Sequence, residues 1–150
     1  MIKRGSPAPP RRRGSVAVET GIVLPLFLLM VLGTFEYSRF IMLRNLADNA
    51  VREGARAAVV HSYDYTTAQI QSVVTSRLAG QDGQVSNLSI QVFKADPTTG
   101  ANLDAWTNAR FGDWIMVKAT GTYTPALPSL LRMGNTMTVN GQSMMRCEAN

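Results

Sequence analysis

The chain has 150 residues, enough for one ordinary domain, with 45% hydrophobic and 17% charged residues and a formal charge of +5. That balance excludes a disordered polypeptide and a strongly charged nucleic-acid binder. The excess charge sits entirely in residues 1–14, where Lys3, Arg4, Arg11, Arg12 and Arg13 face no acid, while residues 15–150 hold ten cations and ten acids. No basic face for phosphate contacts is therefore expected on the folded part, and nucleic acid is not an expected partner. A single cysteine, Cys147, excludes an internal disulfide framework and a cysteine zinc site. A single histidine, His61, leaves little for a metal cluster or a catalytic triad and reads as a solvated residue at a helix end.

Residues 1–14 form a Pro- and Arg-rich basic segment that cannot bury a core. Thr20–Phe35 then runs sixteen residues without a charge, and 15–35 carries Glu19 as its only ionised side chain. Twenty-one helical residues span roughly 30 Å, the hydrocarbon thickness of a bilayer. Leucines on all sides leave no polar face for a soluble helix, and the core ends in Phe35-Glu36-Tyr37 rather than in small residues suited to signal cleavage. The stretch reads as a membrane span. Its preceding cations predict a cytoplasmic N-terminus and place residues 36–150 outside the membrane. Pro25 removes one helical hydrogen bond and predicts a kink or local melting.

The helical pattern continues to Val60, giving one helix over Val16–Val60. Leu43, Leu46, Ala47, Ala50, Val51, Gly54, Ala57 and Ala58 share one narrow face, with Arg44, Asp48, Arg52 and Arg56 opposite. Arg44–Asp48 and Asp48–Arg52 have the spacing of helical ion pairs. Gly54 costs about 1 kcal/mol in a helix interior, so its expected benefit is close approach of another backbone. Asp64 or Thr66 can cap a second helix carrying Ile70, Val73, Val74 and Leu78, with Gly80 at its end. Leu88, Ile90 and Val92 alternate with polar residues as a half-buried strand, Asp96–Gly100 is a turn, and Trp114–Tyr123 and Met137–Met145 supply two more strands. The expected fold class is α+β: a small antiparallel sheet covered by the outer half of the long helix.

No nucleotide-binding, zinc-protease or serine-hydrolase motif occurs. Asp96, Asp104 and Asp113 fall in an apparent loop and read as separate surface carboxylates, so neither a metal, a cofactor nor an enzymatic activity is expected. Glu19 stands out. An unpaired carboxylate costs at least ~2–3 kcal/mol at a bilayer centre, so it either snorkels to the cytoplasmic surface or pairs with a cation in an assembly.

Arg13-Gly14-Ser15-Val16-Ala17-Val18-Glu19 resembles a type IV prepilin processing motif. Together with Leu24-Pro25-Leu26, Glu36-Tyr37-Ser38-Arg39 and Ala50-Val51-Arg52-Glu53-Gly54-Ala55-Arg56, it resembles the TadE-like family of the tight-adherence (Flp) pilus system. The resemblance implies a minor pilin, or pseudopilin, for adhesive, biofilm-forming pili, anchored in the bacterial inner membrane with a periplasmic domain. Its implied partners are a prepilin peptidase, other pilins and the pilus platform. The peptidase would cut between Gly14 and Ser15, and the new Ser15 amine would pair with Glu19 of a neighbour to set axial register. Thr20 replaces the family's usual aromatic residue, which leaves an uncleaved single-span scaffold as the alternative.

Overall fold

A computed structural model describes residues 13–78, 80–126, 128 and 134–148. The expected basic leader, 1–14, therefore lies outside the described residues except for its last two positions. The backbone builds α1 (Arg13–Val60), α2 (Thr67–Arg77), β1 (Val85–Ala95), β2 (Asn102–Ala105), β3 (Trp114–Tyr123) and β4 (Met137–Arg146), with short 3₁₀ turns at Asp82–Gln84 and Trp106–Asn108. The fold is α+β. A four-stranded antiparallel sheet in the order β2-β1-β3-β4 carries both helices; α1 lies over β3 and β4, and α2 packs beside it toward β1.

Forty-eight residues make α1 about 72 Å long. The helix runs unbroken through Pro25, so the local melting expected there does not occur. Gly21, whose carbonyl faces the proline ring, has no Cβ to add to the crowding. Beyond residue 42 the helix enters the core: Leu43, Ala47, Ala50, Val51, Ala55 and Ala58 are buried, with Leu46 and Ala57 half-covered. Ala55, outside the expected face, is also fully buried, on the flank of α1 away from Glu53, which bonds Arg77 of α2.

Small residues set the spacing of these layers. A Cβ added at Gly54 would overlap Val74 Cγ2 of α2, with Val117 Cγ1 of β3 at 3.5 Å, so the neighbours are side chains rather than the expected backbone. Backbone approach occurs instead at Gly141 of β4, where a Cβ would stand 2.9 Å from the carbonyl carbon and oxygen of Ala47.

Of the two possible caps for α2, Thr66 is the one used. Its hydroxyl accepts from Gln69 N, and Gln69 Oε1 accepts from Thr66 N at 2.7 Å, a reciprocal box that stabilises the helix by about 1 kcal/mol. Gly80, at φ +76°, turns the chain away after the helix. The anchors of the sheet's inner face are Ile115, Val117, Ala119 and Val139, all buried. In β1 one extra residue lies between the pairs Ser86–Thr122 and Ser89–Thr120, and Asn87 takes φ 53° at this bulge. The bulge moves Leu88, Ile90 and Val92 onto the same face as Val85.

Three expectations need correction. Asp104 lies on β2, a strand of four exposed residues, and not in a loop. His61 is half-buried, its ring stacked on Tyr65 at 4.1 Å, and not fully solvated. Among the described residues the salt bridges are Arg77–Glu53 and Lys94–Asp113, so neither Arg44–Asp48 nor Asp48–Arg52 closes. An exposed helical pair gains only about 0.3–0.5 kcal/mol, too little to hold two side chains out of water.

Candidate membrane and assembly helix

Every residue of α1 from 16 to 30 is exposed. Its most apolar eighteen-residue window has mean hydropathy 2.2 and none of it is buried, so it is not the core helix of a soluble domain. The helix is long and apolar enough to cross a membrane. The hydroxyls along it are spent on the helix itself: Thr20 Oγ1 donates to Val16 O at 2.9 Å, Thr34 Oγ1 to Met30 O at 2.9 Å and Ser38 Oγ to Thr34 O at 2.7 Å. Such back-bonding is what makes Thr and Ser tolerable in a hydrocarbon layer.

Gly14 is exposed with open space around its α-carbon, and the Ser15 side chain lies outside the described residues. Glu19 is exposed and makes no hydrogen bond or ion pair among the described residues. It shares a helix flank with Val16, Thr20, Val23, Leu24 and Phe27. A carboxylate on an apolar flank is costly in lipid without a cation beside it.

Seventeen residues further along, about 26 Å up the axis, a second carboxylate behaves in the opposite way. Glu36 is only 6% exposed. Its Oε1 accepts from the Tyr123 hydroxyl and, at 3.0 Å, from Ala126 N. One turn on, Arg39 Nη2 donates to Gln84 Oε1 at 2.8 Å, and Phe40 packs on the Tyr123 ring. Phe35 and Tyr37 stay exposed on either side of Glu36, and the amphipathic ring of Tyr37 suits a membrane–water boundary. The end of the apolar stretch is thus bolted to the base of the domain. In the sequence Glu36 marks the end of the apolar core and stands in a motif, without a sign of which residue it meets. An acid at the mouth of an apolar helix, between two aromatics, was the available signal that a partner had to exist.

Burial, then the hydrogen bond to Glu36 and its negative charge, push the Tyr123 phenol above its ordinary value of 10. A raised phenol binds its proton more tightly in the folded state. Its contribution is therefore complete below about pH 10 and is lost as pH rises through the raised value. Thermal melts of the full chain in detergent between pH 8 and 11 are expected to show this alkaline loss, and Tyr123→Phe to reduce it. An unchanged slope in the variant would refute the assignment.

The three aspartates serve separate local roles. Asp96 caps its turn, accepting from Thr98 N and Thr99 N at 2.8 Å each. Asp104 accepts from Ala105 N and from Asn108 Nδ2, and Asp113 pairs with Lys94 at 2.8 Å. These bonds, from Thr99, Asn108 and Lys94 first, hold each carboxyl below the usual aspartate value. Among the described residues no group of three His, Cys, Asp or Glu side chains could hold a metal ion. Trp106 is buried and donates from Nε1 to Thr67 Oγ1 at 2.9 Å, tying the segment after β2 to the start of α2. Cys147 is buried in the core.

No curated protein and no solved structure matches the chain. A family match does exist, and it falls on the helix just described. It points to a protein related to Tad pili whose N-terminal helix fits a single membrane span. Residues 14–56, from the second residue of α1 to its last turns, match the family described as TadE-like protein.

Proposed function

We propose that the chain is a single-span minor pilin, or pseudopilin, that takes part in assembling tight-adherence pili. In this reading 15–35 crosses the bacterial inner membrane, the N-terminus is cytoplasmic and 36–150 forms the outer domain. The observation that carries it is the continuity of α1, whose unburied apolar half runs without a break into the domain core. A signal peptide cut after its apolar core would sever the chain beside Glu36, the residue that binds Tyr123 and Ala126. A prepilin peptidase cutting between Gly14 and Ser15 would leave that continuity intact. The family match begins at Gly14, which supports this site, and a glycine there allows close approach of an enzyme.

Cleavage would create an α-amine at Ser15, and Glu19 meets no cation among the described residues. The amine of one subunit and Glu19 of another would each relieve the other's desolvation in lipid and so fix axial register. Glu19→Ala is accordingly expected to leave membrane levels near native while lowering surface piliation at least about tenfold, since a buried charge stripped of its partner costs about 3–5 kcal/mol. Immunoblots of membrane and sheared-pilus fractions test this, and normal piliation by the variant would sink the pairing.

Thr20 supports a second reading, an uncleaved scaffold of the pilus machine. Recovery of the chain in sheared pili would count against it.

A further inference from the structure

The sheet order β2-β1-β3-β4 leaves two lateral edges of opposite chemistry. On the β4 side, the solvent face of α1 presents Arg52 and Arg56, which make no ion pair among the described residues. Arg56 lines a cleft with Met145 and Arg146 of β4, with Val60, itself 59% exposed, and with one acid, Glu148, so that the cations outnumber the acid there. Arg77 borders the same face, bonded to its one nearby acid on α1, Glu53. On the opposite edge, β2 is exposed at every residue. It carries Asp104 and the 58%-exposed Leu103, and follows the Asp96 turn. Among the described residues neither Asp96 nor Asp104 closes an ion pair; Lys94, which stands opposite Asp104 across the ladder, pairs with Asp113.

The two edges also lie at one height. Across the sheet Asn102 pairs with Ala95, Ala95 with Trp114, and Trp114 with Arg146, so the acids beside Asn102 and Ala95 and the cation at Arg146 share one row. Each edge has an apolar centre beside its charges, the arrangement that interfaces between chains use.

We propose that copies of this chain associate side by side through these edges, the α1–β4 face of one receiving the β2 edge and Asp96 turn of the next. The proposal rests on the membrane-anchored reading, since parallel anchoring in one bilayer brings the two edges level. The contact uses different surfaces on its two sides and is therefore heterologous, so it extends into an array and does not close as a two-fold dimer. Arg52 and Arg56 meet Asp96 and Asp104, and Val60 and Met145 meet Leu103. Opposed potentials set the register, and like charges brought together there would oppose it.

The test is Förster transfer between donor- and acceptor-labelled full-length copies in lipid vesicles, compared with a charge-reversed α1 face (R52E/R56E) and a charge-reversed β2 edge (D96N/D104K). The Asp96→Asn change keeps the acceptor oxygen that the turn uses. Each variant alone is expected to associate at least about tenfold more weakly than the native chain, and a one-to-one mixture of the two to recover most of the transfer, because acid then meets lysine at the altered contact. Raising salt to about 0.5 M is expected to weaken the native association. The milder D96N/D104N variant, which keeps both acceptor oxygens, is expected to fall between native and reversed, so a loss of folding cannot imitate the result. Absence of transfer in the native chain, native-like transfer in each variant alone, or no recovery on mixing would overturn the proposal. Co-flotation with the vesicles is scored separately. A chain that floats without transfer defeats the edge pairing alone, and one that fails to float defeats the anchored reading as well.

Discussion

Gly141→Ala is expected to destabilise the domain by about 2–3 kcal/mol, the upper range for overpacking a tight interior. The added methyl would stand 2.9 Å from the carbonyl carbon and oxygen of Ala47 and 3.1 Å from Asp48 N. These are backbone atoms of a long helix, which cannot rotate aside as a side chain would. Either α1 lifts from β4, opening the contacts of Leu43, Ala47 and Val51, or β4 bends away from β3. Alanine also narrows the unfolded ensemble, a stabilising effect of about 0.4–1 kcal/mol that only partly offsets the clash. For a domain of this size the net loss corresponds to about 8–12 °C in Tm. Circular dichroism melts of the detergent-solubilised chain measure it, with Gly83→Ala, where nothing lies within 4 Å, as the neutral control. A Gly141→Ala melt within a degree or two of native would mean that the helix does not lie so close to β4.

Glu36→Ala should be comparably damaging, by a different route. It removes one carboxylate and strands two donors, the Tyr123 hydroxyl and Ala126 N. A buried donor left without an acceptor costs about 1–3 kcal/mol; the Tyr123 hydroxyl bears this in full and the part-buried Ala126 N a smaller share, so the pair amounts to about 2–5 kcal/mol. Glu36→Gln retains an amide oxygen for one of them and should lose less. Because Glu36 joins the apolar half of α1 to the base of the sheet, the defect should also appear locally, as faster proteolysis between Tyr123 and Ala126. Native-like protease resistance in Glu36→Ala would argue that the junction is held by Phe40 and Arg39 without it.

Much of this architecture is legible in the chain itself. An uncharged run of sixteen residues, a small-residue face from Leu43 to Ala58 and the Thr66 cap each depend on local spacing, and local spacing is what periodicity reports. β3 and β4 are legible for the same reason, since their alternation survives one-sided burial. β2 is different. Asn102-Leu103-Asp104-Ala105 is an exposed edge with no inward face to mark it, so its only sign is the hydrogen-bonded partner β1. The bulge at Asn87 similarly needs the register with β3 before it exists.

The candidate residues divide along the same line. Glu19 announces itself because a charge in an apolar run is anomalous in any fold. Gly54 does so because glycine is a poor choice inside a helix. Gly141 sits in a polar strand where glycine raises no alarm, and only the approach of Ala47 gives it a role. Glu36 looks like the first polar residue after a membrane span, and its burial depends on Tyr123, eighty-seven positions away. Contacts of that separation leave no periodic trace.

The central claim is that α1 is the anchor and assembly helix of a processed pilin-like subunit, and the N-terminus of the mature protein tests it most directly. Intact mass of the protein extracted from membranes of a strain with an active prepilin peptidase should correspond to a chain that begins at Ser15 and lacks residues 1–14. A membrane-extracted chain that still begins at Met1 in that strain would contradict it.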